Sequence, residues 1–165
     1  IAENKRDQAL EYIHQICTDI DNSRVIRYCN NEALNLILSS YADQAKESGI
    51  DVRISVTATD FTRFQITDLC SLFANALENA IHACEKIPTS EKRYITLKVF
   101  EKNGRICINI ANNYIQNPVF ENEIPTSREA NHGIGVRSMI SVVEKYHGVY
   151  GFFTENKEFR FQASL

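Results

Sequence analysis

Residues 68–87 constrain the fold more tightly than any other stretch. Leu69, Leu72, Phe73, Ala76, Leu77, Ala80, Ile81, Ala83, Cys84 and Ile87 recur at helical spacing and account for a broad buried stripe. Thr67 or Asp68 can cap the start of this helix, and Pro88 ends it. The other side is chemically selective. Asn75, Asn79, His82 and Lys86 follow at intervals of four, three and four, so they line up along one face. Asparagine is a mediocre helix former because its side chain competes for the backbone, and two in register at mid-helix run against local propensity. A local cost of that kind often marks a site.

The patterns around this helix supply a sheet. Residues 6–20 and 31–47 have apolar residues at three- and four-residue spacing, and Gly49 stops the second of these helices. Residues 51–57 alternate Val52, Ile54 and Val56 with polar neighbours, the period of a half-buried strand. Strands over 94–101 and 105–111 flank Asn103-Gly104, a strong hairpin signal that makes their pairing antiparallel. Residues 114–131 carry Pro118 and Pro125 without a period, and a loop of that length inside a compact domain tends to be functional or mobile. A helix over 135–146 stops at His147-Gly148, and two strands, 149–154 and 158–163, close the chain. The order is two helices, strand, helix, hairpin, long loop, helix, hairpin. It suits an α/β (α+β) two-layer sandwich, with helices on one face of a mixed, largely antiparallel sheet.

Bulk properties narrow the function. The chain has 165 residues, enough for one domain and a helical extension, and its 44% hydrophobic and 24% charged residues are those of a folded globular chain. A net charge of −3 gives no footprint for nucleic acid, which requires clustered lysine and arginine. No stretch reaches the roughly 20 apolar residues of a membrane span. The chain begins at Ile1, so a preceding membrane region is expected in a longer parent, with this part on the cytoplasmic side. Cys17, Cys29, Cys70, Cys84 and Cys107 are odd in number, lack metal-ligand pairs and fall in apolar patterns, as reduced core residues do.

Two constellations carry chemistry. A carboxamide offers an oxygen that can coordinate a hard cation and an NH2 that can donate to phosphate, without adding negative charge beside a polyanion. The Asn75/Asn79 pair therefore suits a magnesium triphosphate, although a solvated polar face gives the same spacing. The second constellation is Asn131-His132-Gly133-Ile134-Gly135-Val136, where two glycines precede an amphipathic helix. Glycines let backbone N–H groups approach an anion, and the helix N-terminus adds partial positive charge. Arg128 in the loop and Arg137 after the glycines can reach phosphate or be solvated surface residues, and Glu78 can act as a general base or be a surface carboxylate.

An asparagine helix, a strand ending in Asn112-Asn113, a long polar loop and Gly-Ile-Gly stand here in one fixed order. Residues 73–80, FANALENA, resemble the N-box of GHKL ATPases, and residues 132–136, HGIGV, resemble their second glycine box. The likeness spans roughly residues 31–165. It is strongest to peptide-sensing sensor histidine kinases of the accessory-gene-regulator type, in which a run like Pro125-Thr126-Ser127 leads into His-Gly-Ile-Gly. The resemblance implies a Bergerat-type sandwich that binds ATP between sheet and helices under a lid. It implies Asn79 as the Mg2+ ligand, Asn75 as a phosphate support, and Gly133, Ile134, Gly135 and Val136 as hinge and phosphate-facing turn. Asn112 takes the adenine-reading position. Most GHKL proteins have aspartate there, within a glycine box whose glycines are missing here; the resembling subgroup also uses asparagine, a weaker neutral acceptor. His82 stands where a basic phosphate contact is usual, and Asn131 replaces a glycine.

By the same resemblance the domain, residues 23–165, presents the γ-phosphoryl group to a histidine upstream of Ile1. Residues 1–22 are then the tail of a dimerising helical hairpin, in a homodimer that serves a response regulator. His14 lacks the acidic neighbour of an acceptor histidine, and His132 and His147 read as motif and helix-end residues. The rival readings are a GHKL ATPase or serine kinase without a histidine hairpin, and a binding module that has lost nucleotide.

Overall fold

The computed structural model describes residues 26–126 and 132–165. The helix expected over 6–20, with His14 and Cys17, and the loop residues Arg128 and Asn131 lie outside the described residues.

Helix α1 (Glu32–Glu47) starts at Asn31, whose side chain accepts from the Leu34 N–H at 3.0 Å, and it ends before Gly49 at φ +71°. Strand β1 (Asp51–Val56) leads to α2 (Ile66–Glu85). Neither Thr67 nor Asp68 caps α2: the cap position is Gln65, without a side-chain bond, and Asp68 lies inside the first turn, where residues at the far end of the next helix engage its carboxylate.

Strands β2 (Tyr94–Lys102) and β3 (Arg105–Asn113) form the expected hairpin, with Asn103 and Gly104 at φ 51° and 73°, the left-handed pair that a two-residue turn demands. The described part of the long loop, 114–126, is more regular than its composition implies. It contains a two-strand ribbon, β4 (Val119–Glu121) and β5 (Ile124–Thr126), turning through Asn122 and Glu123, also at positive φ. Helix α3 (His132–Lys145) begins three residues earlier than the sequence pattern suggests, so both glycines fall in its first turn and not ahead of it. Strands β6 (Val149–Glu155) and β7 (Glu158–Ser164) complete the chain.

The main sheet runs β1-β2-β3-β7-β6, parallel between β1 and β2 and antiparallel elsewhere. Register puts Ile95, Leu97, Val99, Ile106, Ile108, Ile110, Phe161 and Ala163 on one face, and these pack with Leu34, Leu38, Leu72, Phe73, Leu77, Ile81, Met139 and Val143 of the three helices into one core. The two-layer sandwich is as expected. Cys29 and Cys84 are buried thiols, and burial pushes Cys84 up to about 11. Cys107 departs from the core reading: paired with Phe100 and Ser164, it lies half-buried on the opposite sheet face.

Candidate functional site

Between α2 and the inner face of the sheet lies a cleft of about 340 Å³. Its floor is aromatic. Phe152 stands 5.1 Å from Phe161 and 6.2 Å from Phe159, ring centre to ring centre, and Ala76, Ala80 and Ala83 keep the facing side of α2 low enough to leave a slot. The β4–β5 ribbon overhangs this slot through Pro118, Val119, Pro125 and Thr126, and Phe120 stacks on Phe159 at 6.5 Å to hold it there. A flat apolar slot of this kind suits a planar ring system.

At the base of the slot, Asn112 is the one buried polar residue among those described, 3% exposed. Its Nδ2 donates to the Asn113 carbonyl at 2.9 Å, which engages one N–H of the amide and sets its orientation, and the carboxamide oxygen is an acceptor. Its neighbour does structural work. Asn113 accepts from the Tyr94 N–H at 2.9 Å and donates to the Lys92 carbonyl at 2.7 Å, so it fastens the end of β3 to the start of β2. The strand alternation thus splits two adjacent asparagines between a binding wall and a staple.

Asn79, His82 and Lys86 line the cleft along one wall of α2, as their spacing predicts. The Asn79 Nδ2 is turned towards Met139 Sδ at 3.9 Å, a distance too long for more than a weak contact. Val136 lines the cleft from α3. Other singled-out residues fall elsewhere. Asn75 does not line the cleft; its Nδ2 donates to the Ser71 carbonyl at 2.8 Å, and its Oδ1 lies 3.0 Å from where a Cβ on Gly135 would stand. Glu78 is exposed and faces α1, where burial first and the Glu78 charge second raise the pKa of Tyr41. Ile134, 72% exposed, and Arg137, also exposed, point away from the cleft lining, and His132 and Gly133 open α3. The turns of α2 and α3 explain this: of any four consecutive residues, only one or two can face the slot.

Tyr114, Gln116, Met139 and the phenylalanines of β6 and β7 also line the cleft, and none of them stands out in the sequence. Aromatic and apolar residues on a strand carry no mark that separates a cleft floor from ordinary core.

The two helices that frame the cleft are fastened at their far ends. Asp68 accepts from Lys145 Nζ at 2.7 Å and from the Tyr146 hydroxyl at 2.5 Å, and that hydroxyl accepts from the Gln65 N–H at 2.9 Å. The Lys145 and then the Tyr146 hydrogen bond hold the Asp68 carboxyl below its ordinary value.

Among the described residues, three helices over one face of a mixed sheet, with a cleft between the second helix and the sheet, define a two-layer α/β sandwich of the Bergerat type. The chain belongs to the GHKL domain family, whose model matches residues 64–165. No curated protein matches the sequence. Among solved structures, the catalytic domain of histidine kinase ThkA superposes with a TM-score of 0.62 at 17% identity, over 82% of this chain and 90% of that one. The histidine kinase domain of the blue-light activated kinase from Erythrobacter litoralis EL346 gives 0.63 at 13% identity, over 80% of this chain and 58% of that one. Full-length ShkA in complex with AMPPNP gives 0.59 at 16% identity, over 80% of this chain and 28% of that one. At identities this low the superpositions establish the shared fold alone.

Proposed function

We propose that this chain is the ATP-binding catalytic domain of a sensor histidine kinase, and that it binds Mg-ATP in the cleft between α2 and the sheet. One observation carries the reading: a buried carboxamide acceptor, Asn112, ends an aromatic slot whose other wall carries Asn79, His82 and Lys86. The adenine ring lies on the phenylalanine floor and donates its amino group to Asn112. The triphosphate runs towards Asn79 and the head of α3, whose N-terminal partial charge favours anions.

The donor set fits magnesium carried in by the nucleotide. Among the described residues no three His, Cys, Asp or Glu side chains gather to hold a metal. A cation carried in by the nucleotide would take ligands from phosphate oxygens and water, and the neutral carboxamide oxygen of Asn79 would be the protein group to hold it. When bound, the ion neutralises triphosphate charge and fixes its shape. The protein's share of catalysis is positioning: the slot holds the base, Asn79 and His82 hold the phosphate end, and the β4–β5 ribbon excludes water. Val136 and the glycine turn shape the phosphate end from α3, and the exposed Glu78 stands available to an incoming acceptor histidine.

The remaining parts rest on the sequence resemblance. They are a phosphoacceptor hairpin whose tail is residues 1–22, homodimerisation through it, a response regulator as phosphate recipient, and a membrane-anchored parent of the peptide-sensing, accessory-gene-regulator-like group with this domain in the cytoplasm.

The test is calorimetric titration with ATP, with and without Mg2+, on the native chain and on Asn79→Ala. Micromolar to millimolar binding that loses its magnesium dependence in the variant is expected. Native chain that is indifferent to nucleotide, or a variant that binds Mg-ATP as the native chain does, refutes the reading.

A further inference from the structure

A small polar node joins α2 to the glycine turn of α3, outside the cleft itself. The Ser71 and Ser138 hydroxyls meet at 3.3 Å across the two helices, and Asn75 Nδ2 donates to both the carbonyl (2.8 Å) and the hydroxyl (3.3 Å) of Ser71. With its amine so engaged, Asn75 presents its oxygen to Gly135, where a Cβ would stand only 3.0 Å away. The contact is tight because residue 135 has no side chain. Asn75 thus touches the glycine turn without touching the cleft, and Asn79 lies one helical turn, about 6 Å, further along α2.

We infer that Ser71 and Ser138 are positioning residues which, through Asn75, set the separation between Asn79 and the head of α3 and so act on the phosphate end of a bound nucleotide. This rests on the nucleotide reading above. The direction of the effect follows from the layout. The node braces the helix face that carries Asn79 and the turn that carries Gly135, whereas Asn112 and the phenylalanine floor belong to the sheet and line the cleft, which Ser71, Asn75 and Ser138 do not. Removing one hydroxyl leaves its half-buried partner with a poorer set of bonds and lets α3 shift against α2. A loss of one neutral hydrogen bond corresponds to roughly a three- to tenfold change in an equilibrium constant.

The experiment compares affinities of the full chain for Mg-ATP by calorimetry and for adenosine by NMR titration, in native protein, Ser138→Ala, Ser138→Thr and Ser71→Ala. Ser138→Ala and Ser71→Ala are expected to weaken Mg-ATP roughly three- to tenfold while adenosine affinity holds, and Ser138→Thr, which keeps the hydroxyl, is expected to restore it. An unchanged ratio of the two affinities in both alanine variants, or an equal loss for both ligands, overturns the inference. If one alanine variant fails to fold, the other decides. Native protein that binds no Mg-ATP removes the nucleotide reading and this inference together; native binding with an unshifted ratio removes this inference alone.

Discussion

Asp68, in the first turn of α2, accepts a hydrogen bond from the hydroxyl of Tyr146, just past the end of α3, at 2.5 Å. The same hydroxyl accepts from the backbone of Gln65, and the Tyr146 ring meets Phe64 edge-on at 4.9 Å, so one side chain closes the corner between two helices. Tyr146→Phe keeps the ring packing and removes both polar contacts. A hydrogen bond to a charged carboxylate contributes about 1.5–3 kcal/mol when shielded, and the partial exposure of Asp68 brings the expectation to the lower end, about 1–2 kcal/mol. Urea denaturation of the two proteins measures it, and a midpoint unmoved by the substitution would mean that the corner contributes nothing to stability.

The same corner gives stability a pH dependence of known sign. Asp68 has a lowered folded-state pKa, from the hydrogen bonds of Lys145 and then Tyr146, so its contribution is complete above the ordinary carboxylate value of about 4 and is lost as pH falls through the lower folded value. Lys145 is raised, chiefly by its hydrogen bond to Asp68, so its contribution is complete below its ordinary value and is lost as pH rises through the raised one. Asp68→Asn is expected to flatten the acid limb of a melting-temperature profile as pH falls below about 5. A variant that loses stability with acid as steeply as the native chain contradicts the assignment.

Two glycines of this chain look alike in sequence and differ in physics. Gly104 holds φ +73° with nothing within 4 Å of where a Cβ would stand, so Gly104→Ala incurs only the backbone cost of the left-handed region, about 1 kcal/mol. At Gly148 a Cβ would stand 2.6 Å from the Ser164 carbonyl and 2.8 Å from Val143 Cγ1. The end of β7 or of α3 must then move, and Gly148→Ala is expected to cost about 2–3 kcal/mol. Chemical denaturation of the pair checks the ranking; Gly104→Ala as the more damaging change would reverse the argument.

That contrast shows where the sequence was legible. The Asn103-Gly104 turn was readable because left-handed φ at two successive positions calls for those residues, and α2 was readable because its apolar stripe and its asparagines keep separate faces. The β4–β5 ribbon was not: it turns through Asn122 and Glu123, and glutamate at positive φ is a local cost that tertiary packing, here Phe120 on Phe159, must offset. The start of α3 was hidden for a related reason, because glycines that usually precede a helix are here built into its first turn, with Gly135 against Asn75. Within the candidate site, the polar members Asn79, His82 and Asn112 stood out in sequence, whereas Phe152 and Phe159 could be recognised as floor only once register placed them opposite α2.

Asn112 carries the base-reading half of the proposed site, and its role can be separated from that of the phosphate end. In the proposed complex its oxygen would accept a single hydrogen bond from a neutral donor, and the residue is only 3% exposed, so losing that bond would forfeit about 1–1.5 kcal/mol of binding, roughly tenfold in affinity. Asn112→Ala is therefore expected to weaken ATP about tenfold while leaving magnesium tripolyphosphate, which has no base, unaffected. The substitution also frees the Asn113 carbonyl from its 2.9 Å partner, so a small fall in melting temperature accompanies it and is scored separately. Competition titrations with the two ligands measure the difference. Equal weakening of both would move Asn112 from base recognition to general support of the cleft, because a residue at the closed end of the slot has no route to the phosphates except through the fold.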